Sequence, residues 1–264
     1  MLKKAIKMKK PEKELTTEQK IRRRTFISFG IFGAYVVGAY SAWRWLYKSP
    51  DEVTGITGGA RKPLRRALNK TEIFFRRLAF NENHLVKTYP KEMAAKVVRH
   101  NSDIGSEGVM PPEKWKLNVT KKNGEVMQIS LDQIKEIPKT EIVFDFKCVE
   151  GWDQIQHWAG ARFIDFIKHF GLEEEAKMEY VGLETPDKKY YVGLDMPSAI
   201  HPQTILAYEM NDKPLSGRHG QPLRLMIPVK YGIKCIKRIG FINFSNTRPH
   251  DYWAEQGYDY YSGL

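Results

Sequence analysis

Two cysteines, Cys148 and Cys235, are the residues of this 264-residue chain best suited to metal or redox chemistry. Cys148 directly follows an apolar, strand-like run that ends at Lys147. A thiolate donates strongly to a soft metal, although a single cysteine at a strand end is more often a small core residue. No spacing typical of a zinc finger, an iron–sulfur cluster or a Cys-x-x-Cys-His heme site occurs. Cys148 is therefore a lone soft-metal ligand or a core residue, and Cys235, in a second strand-like run, is interpreted as core.

A charged residue in an apolar stretch is the second candidate for a functional site. Arg224 lies within the apolar stretch Pro222–Met226. Burying a cation without a partner is costly, so this position favours a role in binding an anion. Lys234 is either a second such cation or an outward-facing strand residue. His219, beside Gly220, is either a site residue or part of a turn.

The segments that must position these residues alternate between short strands and short helices. Alternating polar and apolar residues on both sides of Asn123-Gly124 predict a hairpin. Further strands are predicted over residues 190–194, 223–228 and 236–244, and helices over 63–80, 91–99, 131–137 and 161–170. Scattered strands and short helices without an internal repeat predict an α+β domain with one core.

An uncharged run from Thr25 to Trp43 precedes this domain. As a helix its 19 residues would span about 28 Å, close to the thickness of a bilayer's hydrocarbon core. Aromatic residues cluster at its C-terminal end, namely Tyr40, Trp43, Trp45 and Tyr47. The pattern is typical of a transmembrane helix with an aromatic belt at one interface.

The positive charge of the chain is concentrated near this span. The formal net charge is +12, yet residues 1–24 alone carry +7 and residues 101–264 carry −3. Anionic lipid headgroups explain such a distribution better than nucleic acid does, so no nucleic-acid partner is expected. The N-terminal charge predicts a cytoplasmic N-terminus and a domain on the opposite side. Arg23-Arg24 followed by Phe26 and Ile27 also resembles a twin-arginine export signal.

Two stretches of the chain carry a resemblance to a known family. The first stretch is Cys148–Trp152 followed by Trp158–Gly160, and the second is Tyr208–Gly240. The two stretches resemble the sulfite-oxidase-type molybdopterin-dependent oxidoreductases. The resemblance extends from Asn81 to the C-terminus and implies a sulfite-oxidase-like α+β fold of mixed β-sheets and short helices, preceded by one transmembrane helix. We expect a basic cytoplasmic segment (1–24), a transmembrane signal anchor (25–47), a tether with a basic amphipathic segment (48–80) and a molybdopterin-binding domain (81–264).

The resemblance also implies roles for individual residues. Cys148 matches the cysteine that binds molybdenum and would be the catalytic metal ligand. Arg162 matches an arginine of sulfite-oxidising members and would face the substrate. The positions that match cofactor contacts in the family are Asn81, His84, Thr185, His219, Arg224, Gly232, Ile233 and Lys234.

The form of the chain most resembles the exported protein-methionine-sulfoxide reductases. That resemblance implies oxygen-atom transfer at one Mo-molybdopterin per chain, without heme, and electrons from a heme-containing membrane partner. The expected location is the bacterial inner membrane, with a single span, a periplasmic domain and delivery by the twin-arginine export machinery. The substrate would be a small-molecule or protein sulfoxide; the alternatives are sulfite oxidation and a metal-free binding or assembly module on the same fold.

Overall fold

The computed structural model describes residues 15–50, 61–79, 81, 83–108 and 110–264. These residues form two compact units, one comprising 15–50 and 61–66 and the other comprising the described residues from 67 to 264. The helices are α1 (Thr17–Lys48), α2 (Lys62–Ala79), α3 (Leu131–Lys135), α4 (Phe163–His169) and α5 (Met196–Ala199).

The first unit consists mainly of α1. The helix begins at a capping box, in which Gln19 N donates to Thr16 Oγ1 and Thr16 N donates to Gln19 Oε1. It is 32 residues long and none of its residues is buried. Its length and composition are sufficient to cross a bilayer, as predicted for residues 25–47. The helix starts eight residues before the predicted span, because the capping box allows the basic residues 22–24 to be helical.

The second unit contains two sheets of five strands each. The first sheet comprises β1 (Leu117–Thr120), β2 (Val126–Ile129), β5 (Tyr180–Glu184), β6 (Tyr191–Asp195) and β10 (Phe241–Ser245), in the spatial order β2-β1-β10-β5-β6. β1 pairs with β10 in parallel, and the other pairs are antiparallel. The predicted hairpin at Asn123-Gly124 is confirmed, with Gly124 at a φ of +86° that a glycine adopts without strain.

The second sheet positions the cysteine and the arginine that the sequence singled out. It comprises β3 (Lys139–Lys147), β4 (Asp153–Arg162), β7 (Ile205–Met210), β8 (Lys213–Pro214) and β9 (Arg224–Met226). β3 and β4 form a long antiparallel hairpin, in register from Lys139 to Lys147. β7 pairs with β4 on one side, while both β8 and β9 pair with its other side. Cys148 therefore lies at the tip of the hairpin and Arg224 at the start of β9.

The predicted α+β class with mixed sheets is correct, and the core explains it. Large side chains from both sheets and from α4 are fully buried, among them Phe144, Trp158, Phe163 and Phe166.

Two local predictions were wrong. The segment 233–237 is not a strand, since residues 232–234 form a 3₁₀ turn and the next strand begins at Phe241. Residues 91–99 form only the 3₁₀ turn Lys91–Met93 instead of a helix.

Candidate active site

A cleft in the second unit brings together Cys148 and Arg224. It is lined by the segments around residues 98–104, 146–152 and 232–237, and by Trp158, Tyr190, His219 and Arg224. The space between protein atoms is about 910 Å³, part of it open to solvent.

The turn between β3 and β4 fixes Cys148 at the wall of this cleft. Cys148 N donates to Trp152 O at 2.9 Å, and Gly151 N donates to Cys148 O at 3.1 Å. Gly151 has a φ of +83°, which a residue with a side chain would adopt only with strain. The glycine and the tryptophan of the Cys148–Trp152 stretch thus have a mechanical role, because they close the turn that presents the thiol.

The thiol of Cys148 is 7% exposed and lies in a mixed electrostatic environment. Burial is the main effect and raises the pKa of Cys148; the main-chain N–H of Glu150 acts to lower it and the charge of the Glu150 carboxylate acts to raise it. Arg99 and the amide of Asn101, whose Nδ2 is 4.0 Å from Sγ, favour the thiolate. The free thiol therefore keeps its proton at neutral pH, and a metal that binds it must displace that proton.

Arg224 is a buried cation that also lines the cleft, with 5% of its surface exposed. Its Nη1 donates to His219 O and its Nη2 to Cys235 O, both at 3.1 Å. Nε has no hydrogen-bond partner and no carboxylate pairs with the guanidinium within the described part of the chain. Burial lowers the pKa of Arg224 to about 10, so the group stays charged at neutral pH. An anion in the cleft would satisfy this charge.

The guanidinium of Arg224 is held by an aromatic ring as well as by carbonyl groups. Its Cζ lies 4.6 Å from the centre of the Trp158 ring, which comes from β4, on the other side of β7. The face of an aromatic ring stabilises a cation without neutralising it. Trp158 therefore orients Arg224 and leaves its charge available to a ligand.

His219 lies in the cleft wall with both ring nitrogens engaged. Nδ1 is 2.8 Å from Ser216 Oγ and Nε2 is 3.3 Å from Val98 O. Because a carbonyl can only accept, Nε2 carries the proton and Nδ1 accepts from the serine hydroxyl. Burial lowers the pKa of His219, so the ring is neutral. A ligand therefore meets the edge of a fixed neutral ring.

Gly232 and Ile233 form the opposite wall, where the chain turns tightly. A Cβ at Gly232 would lie 2.3 Å from the ring of Phe146, so only glycine fits against that ring. Tyr190, which also lines the cleft, fixes the turn because its Oη donates to Ile233 O at 2.6 Å. The turn therefore has a rigid main chain at the cleft surface.

Lys237 and the segment 99–102 were not singled out from the sequence, yet they belong to this cleft. Lys237 Nζ donates to Asn101 O at 2.8 Å and to Ser102 O at 2.6 Å. Burial, together with the charge of Arg224, lowers the pKa of Lys237 to about 7. The contact spans 135 residues of chain, so no local sequence pattern could have revealed it.

Two predicted cofactor contacts are buried outside this cleft. Lys234 Nζ donates to Asp251 Oδ2 at 2.5 Å and to Gly193 O at 3.1 Å, behind the 232–233 turn. Thr185 is fully buried and its Oγ1 donates to Asp187 Oδ1 at 2.6 Å. Both side chains are thus engaged with other protein groups.

Three further predicted residues lie elsewhere on the surface. Asn81 and His84 are exposed, and the main-chain carbonyl of His84 accepts a hydrogen bond from buried His201 at 3.3 Å. Arg162 Nε donates to Asp165 Oδ2 at 2.6 Å. Of the ten residues proposed from the sequence, five line the cleft, namely Cys148, His219, Arg224, Gly232 and Ile233.

The charge of the cleft favours an anionic cofactor that carries a soft metal. Its lining includes the cations Arg99, Arg224 and Lys237 against a single carboxylate, that of Glu150. A thiol, a guanidinium with an unsatisfied nitrogen and a rigid main-chain turn face one space. This donor set fits a molybdopterin, which combines a soft metal centre with a phosphate and a polar ring system.

Comparison with known proteins agrees with this chemistry. Residues 105–253 match the family model described as the oxidoreductase molybdopterin binding domain. A candidate protein-methionine-sulfoxide reductase subunit, YedZ1 of Azospira oryzae, is 33% identical over 186 residues, which cover 70% of each chain. The protein-methionine-sulfoxide reductase catalytic subunit MsrP of Campylobacter jejuni is 31% identical over 58% of this chain and 57% of its own. MsrP of Xanthomonas campestris is 31% identical over 53% of this chain and 48% of its own, so the match spans about half of these catalytic subunits.

Proposed function

The chain belongs to the family of oxidoreductases with a molybdopterin-binding domain, and from this premise we propose that it is a membrane-anchored sulfoxide reductase with Cys148 as the protein ligand to molybdenum. One observation carries the proposal. A buried thiol and a buried guanidinium without a carboxylate partner line the same cleft of the described chain. The similarity to proteins named as methionine-sulfoxide reductases supports the choice of a sulfoxide as substrate.

Five residues would hold the cofactor in the cleft. Arg224 would bind the phosphate through its free Nε side, while the main chain of Gly232 and Ile233 would face the ring system. His219 would set the position of Arg224 through its carbonyl group, and Lys237 would add a second positive charge. For Asn81, His84 and Thr185 the support is the family resemblance alone.

Lys234 would act indirectly. Its ammonium group pairs with Asp251 and a carbonyl behind the 232–233 turn, so its side chain is occupied on the side away from the cleft. We propose that Lys234 positions the turn that faces the cofactor rather than contacting the cofactor with its charge.

The chain's own groups control protons and water around the metal ligand. When bound, the cofactor would supply a metal centre that exchanges an oxygen atom with the substrate and two electrons with a partner. Cys148 must first give up its proton, a step that Arg99 and Asn101 favour and that burial opposes. Phe146 and Trp152 stack at a centroid distance of 5.8 Å and line the same cleft as the thiol, where their rings would limit the access of water.

One lining residue, Glu150, would act against an anionic substrate. Hydrogen bonds from Trp152 and from Asn101 lower the pKa of Glu150, so an ionised carboxylate lies among the lining residues. This charge would repel sulfite, whereas a sulfoxide is neutral. Arg162, the residue that would favour sulfite, pairs with Asp165 instead of lining the cleft. Sulfoxide reduction is therefore the better supported reaction.

The proposed location follows from the N-terminal helix. α1 is long and apolar enough to cross a bilayer, and its exposed tryptophan and tyrosine residues lie in its C-terminal half. The charge of +7 on residues 1–24 supports a cytoplasmic N-terminus and a periplasmic domain at the bacterial inner membrane. Arg23-Arg24 supports delivery by the twin-arginine machinery, and electrons would come from a heme-containing membrane protein.

The test is a reductase assay with the full chain from a host that makes the cofactor. We expect oxidation of a reduced viologen dye when methionine sulfoxide is added, and little or no reduction of an electron acceptor when sulfite is added. Cys148→Ala should abolish the activity. Cys235→Ala, which removes the other buried thiol, is the matched control. A metal-loaded chain that oxidises sulfite but does not reduce sulfoxides would overturn the proposed reaction, and a folded chain without any redox activity would support the binding module.

A further inference from the structure

Helix α2 has one face that is fixed to the oxidoreductase domain. Arg76 is 8% exposed and its Nη1 lies 3.5 Å from the buried Asp195 Oδ2. Arg248 donates to Glu72 Oε2 at 2.6 Å and to Asn69 Oδ1 at 2.9 Å. Buried and half-buried charged contacts therefore determine which side of α2 faces away from the domain.

The opposite face of α2 is apolar and exposed. Leu68, Phe74, Phe75 and Leu78 are 50%, 62%, 57% and 71% exposed, respectively. With 3.6 residues per turn, these four positions lie within one third of the helix circumference. An exposed apolar stripe of this kind on a protein surface indicates a contact with a membrane or with another apolar surface.

Basic residues flank this stripe. Lys70 is exposed and lies on one edge of it, and Arg77 lies on the same edge seven residues farther along. Arg77 pairs with Glu179 of the domain at 2.8 Å, so within the described residues Lys70 supplies the unpaired positive charge of this edge. Glu72, the acidic residue of α2, is turned toward the domain and paired with Arg248. The outer surface of the helix therefore combines apolar side chains with positive charge, which is complementary to an anionic lipid surface.

The start of α2 is fixed to the end of α1. Arg61 Nη1 donates to Ser49 O at 3.0 Å, and Lys62 N donates to Pro50 O at 2.9 Å. The guanidinium of Arg61 also lies 5.7 Å from the ring centre of Tyr47. Tyr47 belongs to the exposed aromatic end of α1, where a membrane-spanning helix meets the headgroups. If α1 spans a bilayer, α2 starts at its surface.

We propose that α2 lies on an anionic bilayer, with Leu68, Phe74, Phe75 and Leu78 inserted at the boundary between headgroups and acyl chains. Lys70 contacts lipid phosphates. The inference rests on the proposed membrane span of α1 and goes beyond the proposed reaction. Because the other face of α2 is fixed by Arg76 and Arg248, the helix attaches the oxidoreductase domain itself to the membrane surface.

The test places nitroxide spin labels on the full chain in lipid nanodiscs. Phe75→Cys and Leu78→Cys report on the stripe, and Val37→Cys reports on the middle of α1. Val126→Cys, at an apolar position in β2 that is 53% exposed, is the control outside α2. Cys148 and Cys235 are buried, and the unsubstituted chain gives their background labelling. Accessibility to oxygen, which partitions into lipid, is compared with accessibility to a water-soluble nickel chelate.

We expect the labels at positions 75 and 78 to be accessible to oxygen and protected from nickel in nanodiscs that contain phosphatidylglycerol. The label at position 126 should remain accessible to nickel. Phosphatidylcholine alone, or Lys70→Glu in the anionic nanodiscs, should weaken the protection severalfold.

Other results would overturn the inference. Nickel accessibility at positions 75 and 78 equal to that at position 126 would show that the stripe remains in water. Strong spin–spin coupling between two labelled chains, with low oxygen accessibility, would show that a second copy covers it. Protection that is the same in neutral and anionic lipid would remove the role of Lys70. A Val37 label in water would refute the span of α1, independently of sulfoxide reductase activity.

Discussion

Buried cations occur in two different settings in this protein. Lys230 pairs with Asp195 at 3.2 Å and Lys234 pairs with Asp251 at 2.5 Å, and all four side chains are almost fully buried. Arg224 is equally buried in the cleft, yet its partners in the described chain are two carbonyl groups and an aromatic ring. The first arrangement is complete within the protein. The second leaves a net positive charge, which an anionic ligand would neutralise.

The difference separates structural charges from binding charges. Removing one partner of a buried ion pair leaves an uncompensated charge and destabilises the fold, whereas the fold does not depend on a partner for Arg224. Charged residues that look alike in the sequence therefore differ in the quantity that their substitution should change. Paired cations should affect the free energy of unfolding, and unpaired cations should affect retention of the cofactor.

The largest expected effect is on stability. Asp195→Asn would leave both Arg76 and Lys230 without their shared carboxylate. We expect a loss of about 3–5 kcal/mol in the free energy of unfolding, measured by denaturant titration of the cofactor-free protein. Asp212→Asn, which removes an exposed partner of Lys91, should not change the unfolding midpoint measurably. Equal effects of the two substitutions would contradict a structural role for the buried cluster.

The same carboxyl group should make stability sensitive to acid. Burial acts to raise the pKa of Asp195, but Lys230, Ser198 and Arg76 outweigh it and the net pKa is lowered. The stabilisation is therefore complete above the ordinary carboxyl pKa of about 3.9 and is lost as the pH falls through the lower, folded-state value. Acid titration of wild type against Asp195→Asn should show that the variant lacks this part of the pH dependence.

The next effect concerns the cofactor. Arg224→Met should reduce retention of the pterin by roughly 10- to 150-fold, because charged hydrogen bonds contribute about 1.5–3 kcal/mol. Arg224→Lys, which keeps the charge but loses the planar fork, should fall between methionine and wild type. Arg218→Met tests an exposed arginine in the same loop and should retain the cofactor. Full retention in Arg224→Met would show that this guanidinium does not bind the phosphate.

A smaller effect should depend on pH. Burial and Arg224 lower the pKa of Lys237 to about 7, so a substantial part of this group is neutral in the empty cleft at physiological pH. An anion binds the protonated form better, and its binding must therefore take up a proton. Because Cys148 releases a proton when it binds the metal, the test compares two slopes: from pH 6 to 9 the cofactor affinity of the wild type should fall relative to that of Lys237→Met. A ratio of the two affinities that does not change with pH would show that Lys237 takes up no proton on binding.

The sequence predicted the elements that depend on residues close together in the chain. The hairpin at Asn123-Gly124 and the long helix before the domain needed only turn chemistry and apolar composition. Arg224 could be selected because a cation in an apolar strand needs a partner. Cys148 lies at the tip of the β3–β4 hairpin, in a turn closed by a hydrogen bond to Trp152. The sequence indicated Cys148 as a site residue but did not predict this turn.

Long-range contacts account for what the sequence did not predict. The segment around Lys234 has the composition of a strand, but Asp251 and Gly193 draw its side chain inward and a 3₁₀ turn results. Asn101 and Lys237 contact each other across the cleft, far apart in the chain, and neither lies in a recognisable motif. The outer face of α2 likewise became evident only once Arg76 and Arg248 fixed its inner face.

The most direct test of the account is to measure molybdenum and pterin in the full chain purified from cells that make the cofactor. Wild type and Cys235→Ala should each contain one molybdenum and one pterin per chain. Cys148→Ala should be folded and should lack molybdenum. Molybdenum retained in Cys148→Ala at the wild-type level would contradict metal binding by this thiol, and a folded wild-type chain without metal or pterin would contradict the enzyme itself.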